Sequence, residues 1–293
     1  MPYLRLALCR IVTRMDKNDQ PLNLEQILAV AKAAAARASQ IAREQRASLS
    51  VQVSFKEARN LVTTADLACE AAIIETIRAS FPNHTILAEE SAGSVNPESC
   101  RTGPVWVIDP IDGTTNYAHE HYQVGVSVAF AMDSVVLVAA IEAPFLGEVF
   151  TAIKGRGAFL NGRAIRVREV SGAEEALVAT GFPYRRVNLK NICGRVERVL
   201  SRCRDLRRIG AATLDISWVG CGRIDAFYEE GLMPWDVAAS GLVAREAGAI
   251  VGHFPYDSDS QRLSSAYSGD LFADNILIAS PGCYSEIEKL LVG

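Results

Sequence analysis

The sequence predicts an α+β fold built in layers. Three features carry that expectation. Apolar, β-branched runs of strand length crowd the middle of the chain, between Thr85 and Thr180. Segments with helical spacing precede these runs, separate the later ones and close the chain. Turns rich in Gly, Asn and Asp join the early runs, which favours antiparallel pairing.

In chain order, Asn23 can cap a helix from Leu24. Ile27, Leu28, Val30, Ala31, Ala34, Ala35, Ala38 and Ile41 form its apolar stripe, and Arg43 to Arg46 place charge at its end. Gln52 to Arg59 is polar and interrupted, and reads as a loop or an edge strand. Asn60 to Asp66 opens a second helix, capped by Thr63 or Thr64, with Leu67, Ala71, Ile74 and Ile77 on its apolar face. Thr85 to Ala88 is a strand leading into Glu89 and Glu90, and Gly93 to Gly103 is a polar loop. Val105 to Ile108 is a buried strand, and Pro110, with no N–H, takes the chain out of the sheet. Tyr122 to Met132 and Val135 to Glu142 are hairpin partners, with Gly147 to Thr151 a third strand. Ala176 to Thr180 and Ile224 to Tyr228 are strands flanking helices at Asn188 to Cys203 and Leu214 to Gly222. Pro234 opens a helix that runs to Ala247, with Gly248 as its stop. Ile250-Val251 and Ile276 to Ala279 are further strands, Tyr256 to Asp270 a polar loop, and Tyr284 to Leu291 the closing helix.

Composition bounds the function. The 293 residues are 49% hydrophobic and 22% charged, with formal net charge −4 and no basic block. That is ordinary globular material with no footprint for nucleic acid. No apolar run is long enough for a membrane span, and Arg5, Arg10 and Arg14 break the N-terminal segment, so no signal-peptide core is present. Residues 1–23 read as an extension that the domain does not use, or as a short basic amphipathic segment. The seven cysteines are scattered without a C-x-x-C pair, which points to reduced thiols and a cytoplasmic setting rather than a zinc site.

The chemistry concentrates in Trp106 to Tyr117, WVIDPIDGTTNY. A rigid turn gathers Asp109, Asp112, Gly113, Thr114 and Thr115. Carboxylates and carbonyl oxygens suit hard cations such as Mg²⁺, and a glycine followed by backbone N–H groups suits a phosphate. Taken alone, D-P-x-D-G is an ordinary surface turn. Glu89 and Glu90 after one apolar run, and Asp236 after Trp235, supply further acids at the ends of separate elements. That set fits a multi-metal phosphoryl-transfer site. No Ser-His or Cys-His pair suggests a phosphoenzyme, and His119 and His121 belong on the rim.

WVIDPIDGTTNY resembles the first signature of the inositol monophosphatase family, and MPWDVAASGLVAREAGAIV, from Met233, resembles its second. LVTTAD (Leu61 to Asp66), ILAEES (Ile86 to Ser91) and ATGFPY (Ala179 to Tyr184) fall in the expected order. The resemblance runs from about Leu24 to the C-terminus. It implies an αβαβα sandwich, usually a homodimer, as one phosphatase domain over residues 24–293 whose halves meet near 169–175. It implies hydrolysis of a small phosphorylated polyol or sugar, inositol monophosphate first, with two to three Mg²⁺ ions and sensitivity to lithium. Related branches take fructose 1,6-bisphosphate, histidinol phosphate or 3′-phosphonucleotides, and some bacterial relatives associate with transcription machinery. That last association makes a regulatory binding partner with vestigial activity the alternative.

The same resemblance distributes the roles. Glu89, Asp109 and the carbonyl of Ile111 go to one metal, and Asp109, Asp112 and Asp236 to a second. Asp66 and Thr114 activate the attacking water. Gly113 and Thr114 bind phosphate through backbone N–H groups. Gly210, Ala211 and Ala212 face the sugar or polyol, and Glu229 accepts its hydroxyls. Glu89, Ile111, Asp112 and Asp236 also touch substrate. Lys56 could sit near the metals or the phosphate, although the spacing around it does not align cleanly with the family and its role stays open. Without the resemblance, Asp66 and Asp236 are equally well helix-start carboxylates favoured by the dipole.

Overall fold

The structure, a computed structural model, describes residues 22–48, 53–57, 60–184, 188–255 and 267–292. Helix α1 (Leu24–Ala47) begins where the Asn23 side chain accepts the Gln26 N–H at 3.1 Å. Strands β1 (Val53–Glu57) and β2 (Asn60–Thr63) form a small antiparallel ribbon. Helix α2 (Thr64–Ser80) therefore starts four residues later than the sequence reading, because Asn60–Thr63 finds a pairing partner. Thr63 is its cap.

A seven-stranded sheet follows. It contains β3 (Thr85–Ala88), β4 (Pro104–Asp112), β5 (Gly125–Met132), β6 (Val135–Ala143), β7 (Glu148–Ile153), β8 (Ala158–Leu160) and β9 (Arg163–Ala164), in that spatial order. Only β3–β4 is parallel; the other neighbours are antiparallel. A short helix, α3 (Thr114–Ala118), interrupts the β4–β5 connection. A second sheet has the order β11-β10-β12-β14-β13, from β10 (Leu177–Thr180), β11 (Asp205–Arg207), β12 (Ala226–Glu229), β13 (Ile250–His253) and β14 (Ile276–Ala279). Helices α4 (Leu189–Arg202), α5 (Ala212–Gly220), α6 (Pro234–Glu246) and α7 (Pro281–Val292) complete the chain.

The core sorts these elements into five layers. Ile27, Ala31, Ala34 and Ala38 of α1 and Ile73 and Ile77 of α2 pack on Trp106, Ile108 and Phe130 of the large sheet. The opposite sheet face, with Val107, Ala129 and Ile141, packs on Trp235, Ala239 and Leu242 of α6. The far side of α6 and α5 meets Ala179, Phe227 and Ile278 of the small sheet. Val199 of α4 and Ile287 and Leu291 of α7 cover that sheet's outer face through Val178, Ala226 and Tyr228. A helix lying between two sheets must be apolar on both sides, which explains why α6 shows no polar face to solvent. The layers are helices, sheet, helices, sheet, helices, the α+β sandwich that the sequence suggested.

Two local departures matter for the site. The sheet does not end at Pro110. Asp109 pairs with Ser127 and Asp112 with Gly125, so β4 carries one residue more than β5 over this interval. Pro110 has no N–H to give the ladder, and it sits in the resulting bulge. Gly113 then adopts φ +87°, and α3 starts at once.

Candidate active site

A strand sends successive side chains to opposite faces, so residues three apart would point away from each other. The bulge at Pro110 and Ile111 supplies the extra residue that brings Asp109 and Asp112 to the same side. The third carboxylate, Asp236, stands at the start of α6, where its Oδ2 accepts the Met233 N–H at 2.7 Å. One carboxylate oxygen from each of Asp109, Asp112 and Asp236 lies within 4.8 Å of the others.

Three ionised carboxylates at that separation repel by roughly 3 to 4 kcal/mol per pair at an effective dielectric of about 20. Burial, then Glu89, Asp112, Asp236 and Asp66, push the Asp109 carboxyl well above its ordinary range. Burial and the neighbouring acids do the same to Asp236. Only protons or a cation relieve such a cluster, and an all-oxygen donor set suits a hard divalent ion.

Asp112 differs. Burial raises it as well, but Thr213 counteracts that rise. Its Oδ2 accepts the Thr213 backbone N–H at 2.6 Å and the Thr213 hydroxyl at 2.5 Å. Thr213 lies in the first turn of α5, so Asp112 caps the start of a helix that follows 101 residues later. Gly125 leaves the room: a Cβ there would collide with the Thr213 hydroxyl.

Thr114 opens α3, and its hydroxyl lies 3.1 Å from both Asp66 Oδ1 and the Ile111 carbonyl. The other oxygen of Asp66 accepts the Thr63 N–H at 2.8 Å and the Thr63 hydroxyl at 2.5 Å. Asp66 is therefore both the capping-box acid of α2 and a fully buried partner of Thr114. The first N–H groups of α3 have no acceptor within the helix. A side chain at Gly113 would press on the Gln123 and Gly210 carbonyls and the Ala211 methyl, so backbone is all that fits.

These groups line one cavity of about 310 Å³. The lining includes Glu89, Asp109, Ile111, Asp112, Gly113, Thr114 and Asp236, and also Gly210, Ala211, Ala212, Glu229, Phe182, Tyr184, Trp235 and Met233. Glu89 stands outside the three-carboxylate group but lines the same space. Asp66 does not line the cavity and reaches it through Thr114. His119 and His121 are exposed and also lie outside the lining. The Lys56 side chain and residues 1–21 fall outside the described residues. No helix among the described residues is long and apolar enough to cross a membrane.

Burial raises the Glu229 carboxyl from 4.5 to about 8; Arg208 pulls against this rise and Asp112 adds to it. Three participants were not singled out from sequence. Thr213 holds Asp112. Asp215 lines the cavity, and burial pushes its carboxyl far up. Arg208 is the one cation among the described lining residues. A threonine or an aspartate early in a helix reads as ordinary capping, and no local spacing shows that it faces another element's acid.

A sequence profile of the inositol monophosphatase family matches residues 23–288. The chain belongs to the inositol monophosphatase family. The Salmonella typhimurium protein named Nus factor SuhB is 40% identical over 236 residues, covering 79% of this chain and 86% of its own length. Inositol monophosphatase of Dictyostelium discoideum is 37% identical over 256 residues, covering 84% and 87%. Among solved structures, the inositol monophosphatase from Anabaena sp. PCC 7120 superposes with a TM-score of 0.76 at 31% identity, covering 92% of this chain and 96% of that one. Family membership makes the chain a phosphatase of the inositol monophosphatase type, and the acid cluster in its cavity can hold a metal ion.

Proposed function

We propose that the protein is a Mg²⁺-dependent phosphomonoesterase that hydrolyses inositol monophosphate. The observation that carries this reading is the group of Asp109, Asp112 and Asp236 within 4.8 Å, set beside the Thr114–Asp66 hydrogen bond. Glu89, Asp109 and the Ile111 carbonyl would hold one ion, and Asp109, Asp112 and Asp236 a second, with room in the family for a third. Bound there, Mg²⁺ polarises the phosphate and lowers the pKa of water.

The chain's own groups do the rest. Gly113 and Thr114 offer backbone N–H groups to the phosphate. The Thr114 hydroxyl, donating to Asp66, keeps its oxygen lone pairs for the attacking water. The water's proton passes to Thr114 Oγ1 as the Thr114 proton passes to Asp66 Oδ1. Glu229 and Asp236 accept hydroxyls of the leaving polyol, against the small residues Gly210, Ala211 and Ala212. No side-chain nucleophile takes part. The proposal includes a cytoplasmic homodimer built of one domain over residues 24–293, and inhibition by lithium.

Phosphate release from myo-inositol 1-phosphate, fructose 1,6-bisphosphate, histidinol phosphate and adenosine 3′,5′-bisphosphate, with and without Mg²⁺, tests it. Mg²⁺-dependent preference for the inositol ester is the expected result. Preference for another ester keeps the mechanism and changes the substrate. The relatives named Nus factor favour a second reading, a regulatory binding partner. That reading expects a stable protein complex that survives Asp109→Asn and no turnover of any of these esters.

A further inference from the structure

Helix α3 carries Thr114 and has five residues, too few to hold a helix in place by its own hydrogen bonds. Its side chains take partners from other parts of the fold. The Thr114 hydroxyl lies 3.1 Å from Asp66 of α2. Asn116 donates to the Ile209 carbonyl at 3.0 Å, ahead of α5. Tyr117 donates its hydroxyl to the Ala42 carbonyl of α1 at 2.8 Å. The last turn of α1 adds a further tie through Arg46. Its Nη2 donates to the Tyr117 carbonyl and its Nη1 to the His121 carbonyl, both at 3.0 Å.

Arg46 sits in an unusual setting for a cation. Burial lowers its guanidinium from the ordinary value, with Tyr117 and Glu120 pulling against that fall. Its Nε is buried without a partner. Among the described residues no carboxylate forms an ion pair with it. Two rings stand where an acid would: the guanidinium lies 3.7 Å over Phe145 and 4.7 Å over Tyr117. The carbonyls it meets belong to the exit of α3, where orphan acceptors favour a cation. Between them Glu120 adopts φ +61°, a strained conformation for a residue with a side chain. Arg46 thus grips the chain on both sides of a strained turn.

The position of α3 decides a choice at its other end. Thr114 has one hydroxyl proton and two acceptors at equal distance, Asp66 Oδ1 and the Ile111 carbonyl, each at 3.1 Å. Donation to Asp66 puts that proton on the path to the general base. Donation to Ile111 occupies the carbonyl proposed for a metal. A small shift of α3 would tip the hydroxyl from one to the other.

We propose that Arg46 is a positioning residue: by clamping the exit of α3 to α1, it holds the Thr114 hydroxyl on Asp66 and so supports activation of the water. The inference rests on the phosphomonoesterase reading above. It adds a residue that does not line the cavity.

The test is a double-mutant cycle on Arg46→Met and Thr114→Val. Methionine keeps a stem against Phe145 and Tyr117 and removes the donors. Phosphate release with Mg²⁺ is measured for wild type, both single variants and the double variant, on the ester of the panel above that the wild type hydrolyses fastest. Arg46→Met should lower kcat about tenfold to a hundredfold with little change in KM, the effect of a displaced reacting group. In the Thr114→Val background the same change should cost less than about twofold, because the group that Arg46 positions is gone. An unchanged kcat in folded Arg46→Met overturns the proposal. An equal loss in both backgrounds also overturns it, since loosened folding acts on both alike. If Arg46→Met does not fold, Arg46→Lys, which lacks the planar fork, takes its place in the cycle with the same outcomes. Release of phosphate from no ester by the wild type refutes the phosphatase reading. Amide hydrogen exchange over residues 113–121 then decides the clamp alone. Faster exchange confined to that segment in the Arg46 variant supports the clamp, and unchanged exchange overturns it.

Discussion

The hydroxyl of Thr213 donates to the carboxylate of Asp112 at 2.5 Å, and the Thr213 N–H donates to the same oxygen at 2.6 Å. A residue at the start of one helix thereby fixes an acid at the end of a strand in the other part of the chain. The two donors favour the ionised carboxylate, so Asp112 is the member of the cluster best prepared to meet a cation. Thr213→Val keeps the N–H and the shape and removes the hydroxyl. Half-saturation by Mg²⁺ in a phosphate-release assay should then need about tenfold more metal.

Asp109 stands at the centre of the repulsion, facing Glu89, Asp112, Asp236 and Asp66. Asp109→Asn should lower turnover at least about a hundredfold, as losing one element of a preorganised charged site does. The same change removes a buried carboxyl whose charge only a proton or a cation relieves. In chelator, the variant should therefore melt no lower than the wild type. A folded Asp109→Asn protein with near-normal turnover would remove this residue from the metal site.

Glu229 gives the metal-free protein a pH dependence of known sign. Its carboxyl titrates near 8 in the folded chain against 4.5 ordinarily. Below 4.5 both states carry the proton. Between 4.5 and 8 the unfolded chain releases it and the folded chain keeps it, so stability falls as pH rises through this window. Melting temperature in chelator should drop from pH 5 to pH 8, and Glu229→Gln should remove its share of that slope. An unchanged slope would show that Glu229 ionises freely in the folded protein.

Gly113 tests the phosphate cradle. Its φ of +87° strains any residue with a Cβ, and the Gln123 carbonyl, 3.0 Å from a Cβ placed there, would have to give way to a methyl group. Gly113→Ala should shift α3 and weaken binding of inorganic phosphate, read by calorimetry, with little change in far-ultraviolet dichroism. Equal phosphate affinity in the two proteins would place the anion elsewhere.

Much of the architecture is legible in the residues alone. Apolar runs and turn residues marked most of the strands and helices, since period and punctuation are local properties. Asn23, Thr63 and Pro234 marked helix starts through chemistry that acts within a few residues. The acids Glu89, Asp109, Asp112 and Asp236 could be read as a set because they stand at the ends of separate elements and because the motifs that hold them resemble those of one family. Residues 60–63 were misplaced because four residues cannot declare a strand until the partner strand β1 is beside them.

That Asp109 and Asp112 share a face depends on the register of β4 against β5 and on the bulge at Pro110, neither of which is a local property of the chain. The partnership of Asp66 with Thr114, across 48 residues, could be anticipated only through the family resemblance, and that of Asp112 with Thr213, across 101, only once the fold was in hand, because no spacing along the chain encodes such pairs. The position of Arg208 over Gly210 and Phe182 is of the same kind. Local propensity fixes what each element is. The packing of α5 and α6 between two sheets fixes which side chains their ends bring together, and the active site is made of those ends.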